Sequence, residues 1–421
     1  MKTGKIVAFA ALTSILSSCK PEIVAPESNY GDMDGTRYVA IGSNGTAGYS
    51  DDALHFRGQS NSYAAILSKQ FNLVGISAFN QPIVPETSVG INLFDQARLI
   101  LGYKTDCKGV TSLSPVRYAP VGDLSILDMN YYFGTPFNNM GVPGLSIKNV
   151  NTVGYGNTAL GLGNYSRYFA RMASNQVTSS VLSDATMQNA TFFTIALGED
   201  DVMSYAQSGG TTALPIPVNG AAGVGFDGSL SEVVSEMKAN GAKGAIANVP
   251  DVTTYPYFTT IPYNGLTLDA EKAQTMNSVF NPIGFSFQVG ANPFTIEDPT
   301  TPFNVRKMEP GELVLLSIPL DSVKCYGMGS IVPIPSKYVL TLDEIATIHT
   351  RITSYNSVIQ TMCSTESLAH VDAHALVSSL KSGIVYNGVS MSTNFITGGA
   401  FSLDGRNLNP IGHALLANAF I

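Results

Sequence analysis

Short, almost wholly apolar runs alternate along this chain with stretches of helical periodicity. A strand that is apolar on both faces needs cover on both, and helices that return the chain between parallel strands supply it. Tyr38 to Ile41 is the first such run. Asn61 to Phe71 follows as a helix, with Tyr63, Ile66, Leu67 and Phe71 on one stripe. Phe192 to Leu197, Ala245 to Val249 and Ala369 to Ala373 read as further strands. Between them, Ser229 and Glu232 read as a capping box ahead of Leu230, Val233, Val234 and Met237, with Gly241 at the helix end. Thr341 and Glu344 read as a second box, opening a long helix whose Leu342, Ile345, Ile348, Ile352, Tyr355 and Ile359 face inward. Gly412 to Phe420 is a C-terminal helix. The pattern predicts an α/β fold, a three-layer α/β/α sandwich around a mostly parallel sheet. Stretches 76–160 and 251–340 are rich in Pro, Gly, Tyr and Phe and read as long loop/β insertions on a single domain.

The N-terminus reads as an address. Lys2 and Lys5 precede an apolar run, Ile6 to Leu16, of about 11 residues, too short to span a bilayer but suited to a signal peptide. It ends in Leu16-Ser17-Ser18-Cys19, a bacterial lipobox pattern. The expectation is a signal peptide over 1–18, a lipid on Cys19, a tether over 19–35 with Pro21, Pro26 and Gly31, and one folded domain over 36–421. A lipid tethers by about 0.8 kcal/mol per buried CH₂ without a spanning helix. Hydrophobic residues make up 44% of the chain and charged ones 13%, a balance that folds. The net charge is −8, or −10 once Lys2 and Lys5 leave with the signal, and no basic cluster points to nucleic acid. Beyond Cys19, the cysteines Cys107, Cys325 and Cys363 allow at most one internal bridge and leave one thiol.

Five segments carry the candidate chemistry. They are Gly42-Ser43-Asn44-Gly45-Thr46-Ala47-Gly48, Asn139-Met140-Gly141-Val142-Pro143-Gly144, Gly198-Glu199-Asp200-Asp201, Asn248-Val249-Pro250-Asp251 and Asp404-Gly405-Arg406-Asn407. In this order, set at strand ends and helix starts, they resemble the blocks of the SGNH (GDSL) hydrolase family. The likeness is strongest to its subgroup found as lipoproteins in Bacteroidetes. The resemblance implies the SGNH, flavodoxin-like fold. It also implies a nucleophile in the first block, an oxyanion hole from the second and third, and an Asp-x-x-His base pair in the last. The chemistry requires that set: a hydroxyl activated by imidazole, an imidazole held by carboxylate, and donors aimed at the developing oxyanion.

The chain departs from that pattern where it matters most. Asn44 occupies the serine position, Asn407 the histidine position and Asp200 the position of the oxyanion asparagine; Gly144 and Asp404 match. An amide is no nucleophile, and it takes no proton near neutral pH. Ser43, one residue early, is the alternative nucleophile if the turn slips. His413 is the alternative base, with helix packing or surface exposure as its plain reading, and His55 reads as a helix-surface residue. His349 lies on the late helix, and His370 and His374 flank Asp372 at a spacing that is incidental for a metal. Gly161-Leu162-Gly163 and Gly209-Gly210 lack the strand-to-helix context of a phosphate loop. No cofactor is implied. The sequence thus predicts a lipid-anchored envelope protein, in the outer membrane of a Gram-negative bacterium, that binds a small-molecule, glycan or lipid ester without cleaving it. The alternative is an active lipase- or carbohydrate-esterase-type hydrolase working through Ser43.

Overall fold

The computed structural model describes residues 33–73 and 79–421. The signal peptide, Cys19 and most of the tether expected from the sequence lie outside them. Five parallel strands form the central sheet: β1 (Tyr38–Gly42), β2 (Asn139–Gly141), β3 (Phe192–Ala196), β4 (Lys243–Ala247) and β5 (Ala369–Val371). Their order is β2-β1-β3-β4-β5, with Ala40 opposite Asn139, Ile41 opposite Ile195, Ile195 opposite Ile246 and Ala247 opposite Val371.

All five residues of β1 are buried, as the apolar run requires. Alternate residues point to opposite faces of a strand, and they join two separate apolar clusters. Val39, Ile41, Phe193, Ile195 and Ile246 belong to one cluster, and Tyr38, Ala40, Phe192, Ala245 and Ala247 to the other. The first cluster is completed by α1 (Glu199–Ala206), α2 (Phe226–Lys238) and α3 (Leu342–Glu366), where Phe226 stacks on Tyr355 with ring centroids 4.0 Å apart. The second takes Tyr63 and Leu67 from the helix Tyr63–Asn72, Ala373 from the helix Ala373–Ser382, and Leu416 and Ala417 from the helix Pro410–Phe420.

The box at Thr341 forms: its side chain accepts from the Glu344 N–H, and Glu344 accepts from the Thr341 N–H at 2.7 Å. The box expected at Ser229 does not. That helix begins at Phe226, and Ser229 sits inside it, donating its hydroxyl to the Gly225 carbonyl at 2.7 Å. The carbonyls of Pro217 and Val218 accept from the Phe226 and Asp227 N–H groups, so the helix start is satisfied without a side-chain cap.

The stretch 76–160 contributes a hairpin, Leu99–Thr105 with Thr111–Arg117, and also strand β2 of the sheet itself. The stretch 251–340 builds small two-stranded sheets over apolar clusters of its own, one around Phe294, Ile296 and Ile334, another around Met276, Phe280 and Phe287. A disulfide joins Cys107, in the loop of the hairpin, to Cys325 at the end of the helix Leu320–Cys325. Among the described residues Cys363 is the free thiol, buried in α3. No described helix is long and apolar enough to cross a membrane.

Candidate functional site

The strand order reverses between β1 and β3, and open parallel sheets bind ligands beyond the carboxyl ends of the strands at such a point. Asn44 follows β1 and Asp200 follows β3, so topology brings them together. Asn44 Nδ2 donates to Asp200 Oδ1 at 3.0 Å. The other end of the same amide, Oδ1, accepts from the Gly144 N–H at 3.1 Å. Gly144 has φ +75°, which glycine adopts without strain. Gly141, three residues earlier, allows a close approach: a Cβ there would lie 2.2 Å from the Ala47 nitrogen.

Ser43 is buried at the start of the short helix Asn44–Ala47, yet its hydroxyl makes no cap bond. Burial raises the Asp200 pKa, and the Ser43 hydroxyl and Asn44 N–H act against that rise.

The other half of the site is the turn near the C-terminus. Asp404 Oδ1 accepts from the Arg406 and Asn407 N–H groups, each at 2.9 Å, and Oδ2 accepts from Asn407 Nδ2 at 2.9 Å. The turn is strapped to residues 50–52. The Asp52 N–H donates to Asp404 Oδ2 at 2.9 Å, and the Leu403 N–H donates to Asp51 Oδ1 at 3.0 Å. Asp51 and Asp52 hold left-handed φ values of 52° and 54°, a costly conformation that the strap sustains. Arg406 donates to Asp52 Oδ1 at 2.6 Å and to Gln207, while Arg117 donates to Asp52 Oδ2. Burial works against the charge on Arg406, but Asp404 and Asp52 outweigh it and raise its pKa.

Two cavities meet at Arg406. The inner one, about 60 Å³, has Ser43, Glu199, Tyr255 and Asn407 among its polar lining and Leu376, Leu380 and Leu416 among its apolar lining. Ser43 and Gly45, on either side of Asn44, therefore share a cavity wall with Asn407. The outer one, about 580 Å³, is lined by Asp52, Arg117, Gln207, Tyr257, Asp404 and Arg406 among others.

None of the five histidines hydrogen-bonds Ser43. His55, expected on a helix surface, is instead a buried cap. Its Nδ1 accepts from the Gly58 N–H at 3.4 Å, so Nε2 carries the proton and donates to Ser50 Oγ at 3.1 Å; it is no base for that serine. His413 is buried among packed side chains with neither ring nitrogen bonded. Burial pushes both rings down to about 4, with Arg98 adding to the effect at His55. His349 lies 3.3 Å from Asp251, and His374 Nδ1 donates to the Val249 carbonyl at 3.1 Å. Among the described residues no group of three or more His, Cys, Asp or Glu could hold a metal.

Sequence reading missed Glu199, Arg117, Asp52, Gln207 and Arg406 as parts of the site. Glu199 and Arg406 lie within candidate segments and Asp52 lies shortly after Gly48, so position alone could have flagged them. Arg117 comes from the hairpin and carries no local signal. No protein-family model matches the sequence, and no curated protein matches it.

Buried carboxyls give the site a measurable pH signature. Burial, with Asp200 nearby, pushes Glu199 up to about 7, although Oε1 accepts from the Tyr255 hydroxyl at 2.9 Å. Burial likewise pushes Asp201 up to about 6. A raised folded pKa favours the folded state below the unfolded value, and that stabilisation is lost as pH rises through the folded value. His55 and His413, with depressed values, slope the other way: their stabilisation is present above about 6.5 and lost as pH falls towards 4. Glu199→Gln removes one contribution that falls as pH rises. Relative to the wild type, it should be more stable at pH 8 than at pH 5 by about 2–3 kcal/mol. Urea denaturation at both pH values measures this, and an equal difference at the two would refute the assignment.

Proposed function

We propose that the chain is an SGNH-hydrolase-like envelope lipoprotein whose cleft binds an ester, glycan or lipid without cleaving it. The sheet order, with apolar clusters and helices on both faces, supports reading the fold as the flavodoxin-like three-layer sandwich of that family. One observation carries the functional reading. The residue at the nucleophile position is Asn44, and its amide is spent at both ends, on Asp200 and on the Gly144 N–H. A donor expected to stabilise an oxyanion is thereby occupied, and the neighbouring carboxylate would repel such a charge. Asn407 likewise spends its amide on Asp404 and offers no base.

The second reading, an active hydrolase using Ser43, draws on the place of that residue in the inner cavity, next to the Asn44–Asp200 pair. An assay of the purified protein against acetyl, butyryl and longer p-nitrophenyl esters, and against acetylated glycans, separates the two. The proposed outcome is turnover at background. Robust hydrolysis abolished by Ser43→Ala would make Ser43 the nucleophile and end the non-catalytic reading.

The envelope assignment rests on the lipobox pattern and on the Cys107–Cys325 bridge, since disulfides persist in oxidising compartments. Cys19→Ser should abolish incorporation of labelled fatty acid and release the protein from membranes. Unchanged labelling would remove the lipid anchor from the proposal.

A further inference from the structure

We infer that the outer cavity is a binding site for a neutral oligosaccharide. This narrows the proposed function and rests on it for the premise that the cleft is where the ligand sits. At about 580 Å³ the cavity falls within the roughly 300–1,000 Å³ of small-ligand sites.

Charge is the first discriminator. Arg117 and Arg406 line the cavity with Asp52 and Asp404, two cations against two anions. Both guanidinium groups are bonded to Asp52. An anionic ligand therefore meets no uncompensated positive charge. An acyl chain laid over these groups would strip water from them and return no hydrogen bond.

Two glutamines are the second. Gln96 and Gln207 both line the cavity. Gln96 Oε1 accepts from Arg117 and Asn92, and Gln207 Oε1 accepts from Arg406. Guanidinium groups have only donors to offer, so each amide is held with its oxygen towards the arginine. The opposite end, Nε2, carries two hydrogens with no acceptor among the described residues. These are fixed, neutral donors suited to hydroxyl and ring oxygens.

Aromatic faces are the third. Phe94 is 83% exposed where it lines this cavity, and Tyr257 and Phe395 line it as well. Flat apolar faces beside fixed polar groups match a ligand whose rings present C–H faces and hydroxyl edges.

The test is isothermal titration of the purified protein with cellohexaose, xylohexaose, mannohexaose and chitohexaose. Decanoate and a heparin-derived hexasaccharide serve as apolar and anionic probes. At least one neutral hexaose should bind, and Phe94→Ala and Gln207→Leu should each weaken it about tenfold, Phe94→Ala with unchanged Tm and Gln207→Leu with a small loss of Tm from the acceptor removed from Arg406. Decanoate and the heparin fragment should not compete. The inference fails if no hexaose binds, if binding ignores both substitutions, or if either probe competes for the site. Turnover of an acetylated glycan would overturn the non-hydrolytic reading and leave this one standing. Absent binding together with absent turnover would do the reverse.

Discussion

A protein carrying Asn44→Ser, Asp200→Asn and Asn407→His is expected to hydrolyse p-nitrophenyl acetate at least about 100-fold above the wild type. An oxyanion donor alone contributes about 10²–10³ in comparable sites, and a complete nucleophile–base set about 10⁶. Each change acts on an observed contact. Replacing the Asn44 amide with a hydroxyl releases the Gly144 N–H. Replacing the Asp200 carboxylate with an amide turns a repelling charge into a donor. An imidazole at 407 meets an Asp404 carboxylate already fixed by the N–H groups of Arg406, Asn407 and Asp52. Arg406 limits the gain, because its positive charge beside Asp404 disfavours protonation of the new base. Asn44→Ser alone lacks a base and should stay at background. A triple variant that folds with the wild-type Tm and still shows no turnover would refute the equivalence of these positions with a hydrolase triad and oxyanion hole.

Loss of the Cys107–Cys325 bridge should have the largest effect on stability. The bridge closes a loop across a sequence separation of 218 residues. In the chain-entropy model such a cross-link stabilises by about 5 kcal/mol, near the top of the measured range. The double variant Cys107→Ser with Cys325→Ser should therefore unfold at markedly lower urea, and wild type under reductant should follow it. Cys363→Ala leaves the bridge intact and should leave that reductant response in place. The double variant should also weaken binding in the outer cavity. One wall, with Leu99, Pro115 and Arg117, comes from the hairpin, and the facing residues Leu316, Ser317 and Leu320 run into the helix that carries Cys325. Equal urea midpoints for wild type and the double variant would dispose of the idea that the bridge restrains these walls.

What the sequence disclosed was what neighbouring residues decide. The run Tyr38–Ile41 is readable because burial on both faces leaves no polar position. Thr341 and Glu344 are readable because a capping box is a contact between residues three apart. Strand β2 was lost inside a supposed insertion: Asn139-Met140-Gly141 has no apolar run, and its identity comes from register with β1. Ser229 misled for the opposite reason, since a local motif was outcompeted by carbonyls from Pro217 and Val218. At the candidate site, Asn44, Gly144 and Asp404 stand out in their segments, but the bonds of Asn44 to Asp200 and Gly144 follow from strand order. The Arg117–Asp52–Arg406 network was not, because it joins residues 65 and 354 positions apart.

The strap between residues 50–52 and 402–406 also orders events in time. Its bonds span 351 to 354 positions, almost the whole folded chain. Contacts of such separation are made late, after nearer elements have condensed. A chain emerging from a ribosome or a translocation pore has its sheet strands and most helices available well before residue 402 appears. Until then the left-handed turn at Asp51 and Asp52 has only its nearer partners, among them the Leu99 N–H, Asn92 and Arg117, and lacks the strap. The cleft is thus assembled at the end, together with the C-terminal helix that completes the second apolar cluster, and a chain shortened before residue 402 would lack both.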